Sequence, residues 1–325
     1  MKINLVISSY AAKYSVVDKK NYLKYNLSLL NKINTDITQI TIMKPRINVD
    51  HMEYVNYYNF DSIDISNIKH KIVIIECENI GISYGQFFTA IKHNLDFDYH
   101  IFLEDDYTGF MDNFEQCLVD QLVQIQKDAY LCMFYFKDKK WNLSQIIQQH
   151  ETFEIKKKFI EKMGKYKVYD KYITDYFTVP DNSLGIISKK SVEKILKTFT
   201  SFDIINDIFD IKFGGIWIHQ ILFGYILYVS GIDICDISNK NINLFYHTGG
   251  NVTMCNYGSD LQKWKEYSYN KKLEIPVFVP LEFLYPFNHD DTIYHLKKYC
   301  IDYDKFIERY SMLFLEMKNV VTTLP

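Results

Sequence analysis

The sequence predicts an α/β fold, a mostly parallel central sheet flanked by helices, and three observations predict it. Short apolar runs recur at residues 2 to 8, 37 to 43, 71 to 75 and 99 to 103, and stretches with apolar residues at helical spacing lie between them. Strands alternating with helices build parallel, doubly wound sheets. The last of these runs, Tyr99-His100-Ile101-Phe102-Leu103, stops at three consecutive carboxylates, Glu104-Asp105-Asp106. In open α/β sheets ligands bind at the carboxyl ends of the strands, so an acidic strand tip marks a candidate site.

The elements follow in order. Residues 2 to 8 read as a buried strand ending in Ser8-Ser9-Tyr10. Tyr22, Tyr25, Leu29, Leu30 and Ile33 recur at helical spacing. Residues 37 to 43 form a second strand that Pro45 is expected to stop. A third, 71 to 75, leads into Glu76-Cys77-Glu78-Asn79. Gly81 and Gly85 flank the start of a helix carrying Phe87, Phe88, Ile91 and Leu95, and the 99 to 103 strand follows. Beyond it, 114 to 125 reads as helix, 129 to 136 as strand and 183 to 187 as a short strand. Ser188 then opens a helix to Leu196. Residues 216 to 229 form a buried helix, Gly231 turns into a strand at 232 to 234, and 242 to 246 is a strand ending at His247. The polar, Lys-rich stretch 141 to 175 reads as helix and loop. The expected organisation is one domain in two halves, 1 to 110 and 111 to 258, with a loop and helical extension at 259 to 325.

Composition narrows the classes. Of 325 residues, 48% are hydrophobic and 16% aromatic, which excludes a disordered chain. A net charge of −3 gives no polyanion-binding signature, so no nucleic-acid partner is expected. The six cysteines form no Cys-x-x-Cys pair, which argues against zinc and for reduced, buried thiols. No apolar segment is long enough to span a bilayer, and the opening residues lack a signal-peptide core, so a cytoplasmic protein is expected. Abundant Ile, Asn, Lys and Tyr fit an AT-rich genome, such as that of a large DNA virus.

The order of the motifs carries a resemblance. Ile7-Ser8-Ser9-Tyr10, then Glu78-Asn79-Ile80-Gly81, then a helix, then Leu103-Glu104-Asp105-Asp106 is similar, over about residues 1 to 110, to the nucleotide-sugar-binding half of the GT-A glycosyltransferases. The likeness is to the large family-2-like group, and the Glu-Asp-Asp form of the D-x-D motif is also that of family-25-like enzymes. The resemblance implies a GT-A, Rossmann-like fold, a nucleoside diphosphate sugar donor, a glycan or protein acceptor, and a Mn²⁺ or Mg²⁺ cofactor. Two features depart from it. Met43-Lys44-Pro45-Arg46 replaces the usual acidic turn after the second strand. His219-Gln220 stands where the late helix usually carries the Glu-Asp of the catalytic base, which leaves the stereochemistry open.

The chemistry of the residues fits that expectation. Glu104 and Asp106 lie two apart and would point the same way in an extended segment. Hard oxygen ligands so placed suit Mg²⁺ or Mn²⁺ bridging a substrate's phosphates. His247 is a further candidate ligand, since Mn²⁺ accepts imidazole more readily than Mg²⁺ does; a structural histidine is the plainer reading. Asp105 is expected to bind ribose or sugar hydroxyls. Ser8, Ser9 and Tyr10 would meet the nucleoside, with Asn79 bonding base or ribose and Gly81 permitting close backbone approach; an ordinary helix cap explains Asn79 and Gly81 equally well. Asp207, Asp210 and His219 are candidates for the base, against helix-end charges and a core histidine. Asn182 and Ser183 would lie on the acceptor side, with Trp217 as a sugar platform or a core residue. Two rivals remain: a sugar-phosphate nucleotidyltransferase, which the lack of glycines after the first strand opposes, and a carbohydrate-binding protein without activity.

Overall fold

The computed structural model describes residues 1–9, 13–14, 17–46, 65–105, 107–108, 112–132, 141–142, 161, 176–180, 184–210, 217–236 and 246–247. The expected extension at 259–325, residues 133–136 and most of 141–175 lie outside them.

Seven strands form one sheet: β1 (Ile3–Ser8), β2 (Gln39–Arg46), β3 (Lys71–Glu78), β4 (Tyr99–Glu104), β5 (Ala129–Cys132), β6 (Gly185–Ser188) and β7 (Asp233–Asp236). Their spatial order is β3-β2-β1-β4-β6-β5-β7. Neighbours run parallel except at β6, which is antiparallel to both β4 and β5. The mostly parallel α/β sheet expected from the sequence is therefore present, drawn from both expected halves. The helices are α1 (Lys19–Lys32), α2 (Ile82–His93), α3 (Phe114–Gln124), α4 (Lys189–Phe199), α5 (Phe202–Phe209) and α6 (Trp217–Val229).

Both faces of the sheet are covered, which is why its strands read as continuous apolar runs. Val6, Met43, Phe102, Tyr130 and Ile187 share one core with Phe87, Phe88, Ile195, Phe209 and Phe223, so α2, α4, α5 and α6 lie over one face. Leu23, Leu27 and Leu30 of α1 and Leu118 and Leu122 of α3 are buried outside that core. The crossovers β1-to-β2 and β3-to-β4 travel in opposite directions, and right-handed connections then place α1 and α2 on opposite faces.

Two strands differ from expectation. β2 runs through Pro45 instead of stopping there. Met43 accepts Ser9 N–H at 3.2 Å, so Met43 and, two residues on, Pro45 turn toward β1, which has ended by then. A missing N–H does no harm on that side. β3 continues to Glu78, and Glu76 and Glu78 pair with Lys44 and Arg46 across the ladder. Helix α5 was not anticipated; Ser201 caps it by accepting Ile204 N–H. Cys77 and Cys132 are buried free thiols, and burial pushes Cys77 up to about 11.

Candidate functional site

β1 leads to β2 and β3 on one side, while β4 lies on the other. The carboxyl ends of β1 and β4 therefore flank a topological switch point, the position at which open α/β sheets bind ligands. Ser8 ends β1 in register with Glu104, which ends β4. Asp105 N–H donates to the Ser8 carbonyl at 3.0 Å, extending the pairing one step.

Side chains at this edge divide between the two faces. Ser8 Oγ donates to Gln86 Oε1 of α2 at 2.8 Å. Glu104, the register partner of Ser8, shares that face and is half-buried. On the α1 face, Ser9 Oγ donates to Asp105 Oδ2 at 3.1 Å, and Asn26 Nδ2 donates to the Asp105 carbonyl at 3.0 Å. Asp105 is fully buried, its carboxylate enclosed beside Ser9. The acidic tip thus splits: the strand stops at Glu104 and the chain turns at Asp105. Asp106 and Tyr10 lie outside the described residues.

A distant segment returns to this tip. Tyr246–His247 pairs antiparallel with Tyr107–Thr108, placing His247 opposite Tyr107 in register. His247 thereby comes to the residue that follows Asp106 in the chain. Among the described residues, no group of three His, Cys, Asp or Glu side chains surrounds a common metal position.

A second group forms around Phe209. Gly81 heads α2 with φ 70°, and a Cβ there would lie 2.6–2.7 Å from the Phe209 side chain. The close approach that Gly81 permits in this structure is to Phe209. Asn79, exposed, precedes the turn. The Phe209 ring stacks on His219 with centroids 6.3 Å apart. His219 is buried; Asp207 is partly buried on α5, and Asp210 is exposed, closing α5 with its N–H donating to the Asn206 carbonyl at 2.9 Å. Of the three base candidates, His219 lies against Phe209, while Asp207 and Asp210 sit on and at the end of the helix that carries Phe209. Trp217 begins α6, whereas Asn182 and Ser183 lie outside the described residues.

Sequence reasoning missed Gln86 and Phe209. The signal for Gln86 was a lone amide just before Phe87-Phe88 on a helix otherwise rich in apolar residues. No described helix is long and apolar enough to cross a membrane.

No protein-family model matches the chain, and no curated protein matches its sequence. Solved structures do align with it. A cytidylyltransferase from Leptospira borgpetersenii is 12% identical over 74% of this chain and 77% of that one, with a TM-score of 0.36. The 4-diphosphocytidyl-2C-methyl-D-erythritol synthase of Anaerococcus prevotii is 10% identical over 80% and 96%, TM-score 0.37. Glucosyl-3-phosphoglycerate synthase from Mycobacterium tuberculosis, solved with Mn²⁺, UDP-glucose and phosphoglyceric acid, is 10% identical over 83% and 79%, TM-score 0.34. Likenesses this distant carry no functional assignment. The class defined by the chain's own features is a doubly wound α/β protein with polar and acidic residues at its switch point.

Proposed function

We propose that the chain is a divalent-cation-dependent glycosyltransferase. It moves a sugar from a nucleoside diphosphate sugar, UDP-linked, to a hydroxyl of a glycan or protein. One observation carries this reading: the ends of β1 and β4 flank the switch point with Ser8, Ser9, Glu104 and Asp105, and the pairing of Tyr246–His247 with Tyr107–Thr108 returns His247 to the same edge.

Two carboxylates and an imidazole fit Mn²⁺ better than a softer-ligand metal, so Glu104, Asp106 and His247 would hold it. Bound there, the cation supplies charge neutralisation for the departing diphosphate. Ser8, Ser9, Tyr10 and Asn79 border the nucleoside, and Asp105 acts from within by fixing Ser9. The acceptor, along Asn182, Ser183 and Trp217, attacks the anomeric carbon. A carbon–oxygen bond forms as the bond to the diphosphate breaks, and in an inverting enzyme the hydroxyl proton passes to Asp207, Asp210 or His219. Such a base is worth about 10²–10⁴-fold in rate.

Thermal shifts with UDP-, GDP- and TDP-sugars, with and without Mn²⁺, test the reading, together with release of nucleoside diphosphate. A ligand at a hundred times its Kd stabilises by about 2.7 kcal/mol. We expect a Mn²⁺-dependent shift that Asp106→Ala abolishes. An unchanged shift in that variant removes Asp106 from the site. Turnover of a nucleoside triphosphate with a sugar phosphate identifies a nucleotidyltransferase instead, and sugar binding without any turnover identifies a lectin-like protein.

A further inference from the structure

Beside the end of β1, at the switch point, lies a buried donor that the described residues leave open. Gln86 is 1% exposed on α2. Its Oε1 accepts from Ser8 Oγ at 2.8 Å, while its Nε2 has no hydrogen-bond partner among the described residues. A buried amide N–H without an acceptor is rare in folded proteins and calls for a partner such as water or ligand. This orientation of the amide gives the Ser8 hydroxyl hydrogen an acceptor, and it leaves the NH₂ end open. The position is not arbitrary, because Ser8 ends β1 at the switch point and Glu104 ends the adjacent strand on the same face. The amide on α2 that carries the open donor thus bonds the end of β1, and a half-buried carboxylate ends the adjacent strand on the same face.

We infer that Gln86 Nε2 is a ligand-binding donor that hydrogen-bonds an oxygen of the ligand's nucleoside, a base carbonyl or a ribose hydroxyl. This rests on the nucleotide-binding reading above and assigns part of the ligand to a residue outside that reading. A nucleoside offers neutral acceptor oxygens, which suits a neutral amide donor. A diphosphate offers only acceptors and negative charge. It is best met by cations and charge-assisted donors, and in the reading above the cation on Glu104, Asp106 and His247 would meet it. The neutral amide therefore reads the nucleoside rather than the diphosphate. Gln86 is a specificity-determining residue here, with no part in bond making.

The test is calorimetric titration with Mn²⁺ of UDP, GDP and TDP, and separately of inorganic pyrophosphate, into wild-type protein, Gln86→Leu and Gln86→Glu. For the nucleoside diphosphate that the wild type binds tightest, Gln86→Leu is expected to weaken binding about tenfold, the scale of one lost hydrogen bond. Pyrophosphate affinity stays unchanged, and the Tm of the unliganded variant falls by no more than the loss of the Ser8 Oγ bond to Oε1 accounts for, since the open buried donor is removed with it. Gln86→Glu keeps the size and the Ser8 bond but replaces the donor by a carboxylate, so it loses at least as much nucleotide affinity; its charge weakens pyrophosphate as well, and if Gln86→Leu does not fold the test is read from the excess loss for nucleotide over pyrophosphate. Nucleotide affinity equal to wild type in the folded variants overturns the inference and leaves the proposed function standing. Equal losses for nucleotide and pyrophosphate overturn it too, because they signal general distortion of the crevice. A wild type that binds none of the three nucleotides overturns the proposed function itself, and this inference with it.

Discussion

On the α2 face of the sheet, polar residues are buried at both ends of β1 and β4, and the two ends are built in opposite ways. At the amino end the groups satisfy one another. Asn4 Oδ1 accepts from Thr41 Oγ1 at 2.7 Å, and Asn4 Nδ2 meets His100 Nδ1 at 3.3 Å. Gln39 Nε2 donates to Thr41 Oγ1 at 3.0 Å and to Asn94 Oδ1 at 2.7 Å. Asn94 Nδ2 donates to the Ala90 carbonyl at 2.8 Å, tying the end of α2 into the network. All five side chains are buried, and none leaves a buried polar atom open among the described residues. At the carboxyl end, Ser8 reaches only Gln86, whose amide nitrogen stays open, and Glu104 is half-buried. The same strands on the same face thus close one end and leave the other incomplete. A saturated buried network rigidifies and specifies the fold. An incomplete one at a switch point is where a ligand completes the structure.

The largest effect should come from breaking the closed end. Asn4→Ala leaves the Thr41 hydroxyl without its acceptor and His100 without its neighbour, in a site that is 0% exposed. Each buried group left open costs about 1–3 kcal/mol, and the vacated volume adds to that, so a total of about 4 kcal/mol is expected in urea unfolding. Nucleotide affinity per folded molecule should not change, because the ligand end is untouched. A loss of less than about 1 kcal/mol would show that the network is not closed in solution.

The next effect is a pH dependence confined to the same end. Burial holds the His100 imidazole down at about 4, against an ordinary value of 6.5. The neutral ring is therefore favoured in the fold, and the unfolded chain binds the extra proton between those two values. Stability from this source is complete above about pH 6.5, declines as pH falls toward about 4, and is level below that. The displacement corresponds to a few kcal/mol, on the order of 3. His100→Leu should be less stable at neutral pH and should lack this part of the slope between pH 6.5 and 4. Identical slopes in the two proteins would mean that His100 is hydrated or paired when charged.

These contrasts also show what was legible in the sequence. β1, β4, α2 and α6 were, because a two-sided strand and a buried helix both leave long apolar signatures. The acidic strand end was legible because three carboxylates interrupt such a run. The antiparallel direction of β6 was not: Gly185-Ile186-Ile187 buries the same side chains whichever way it runs, and only its partners Phe102 and Tyr130 fix the direction. Helix α5 is two turns long, too short for periodicity to stand out from the surrounding apolar residues. The division of Glu104 and Asp105 between faces follows from strand alternation, but the enclosure of Asp105 by Ser9 and by Asn26 of α1 depends on distant segments that composition does not connect. The closed network was hidden most completely. Asn4, Gln39 and His100 each look like an isolated polar residue in an apolar strand, and they meet only through a parallel register linking distant segments. The open Gln86 is known only by contrast with them.

The smallest effect sharpens the comparison at the open end. Ser8→Ala acts on the same strand and face as Asn4→Ala, yet Ser8 supplies a single hydroxyl bond to an amide that is already incomplete. Its backbone carbonyl still accepts Asp105 N–H, and the pairing with Glu104 persists without the side chain. The expected cost is about 1 kcal/mol, the ordinary net value of one such bond. The ratio between the two alanine variants then measures the asymmetry directly, with both measured in urea under one set of conditions. A cost at Ser8 equal to that at Asn4 would mean that the carboxyl end is as fully satisfied as the amino end, and that Gln86 already has its partner within the folded chain.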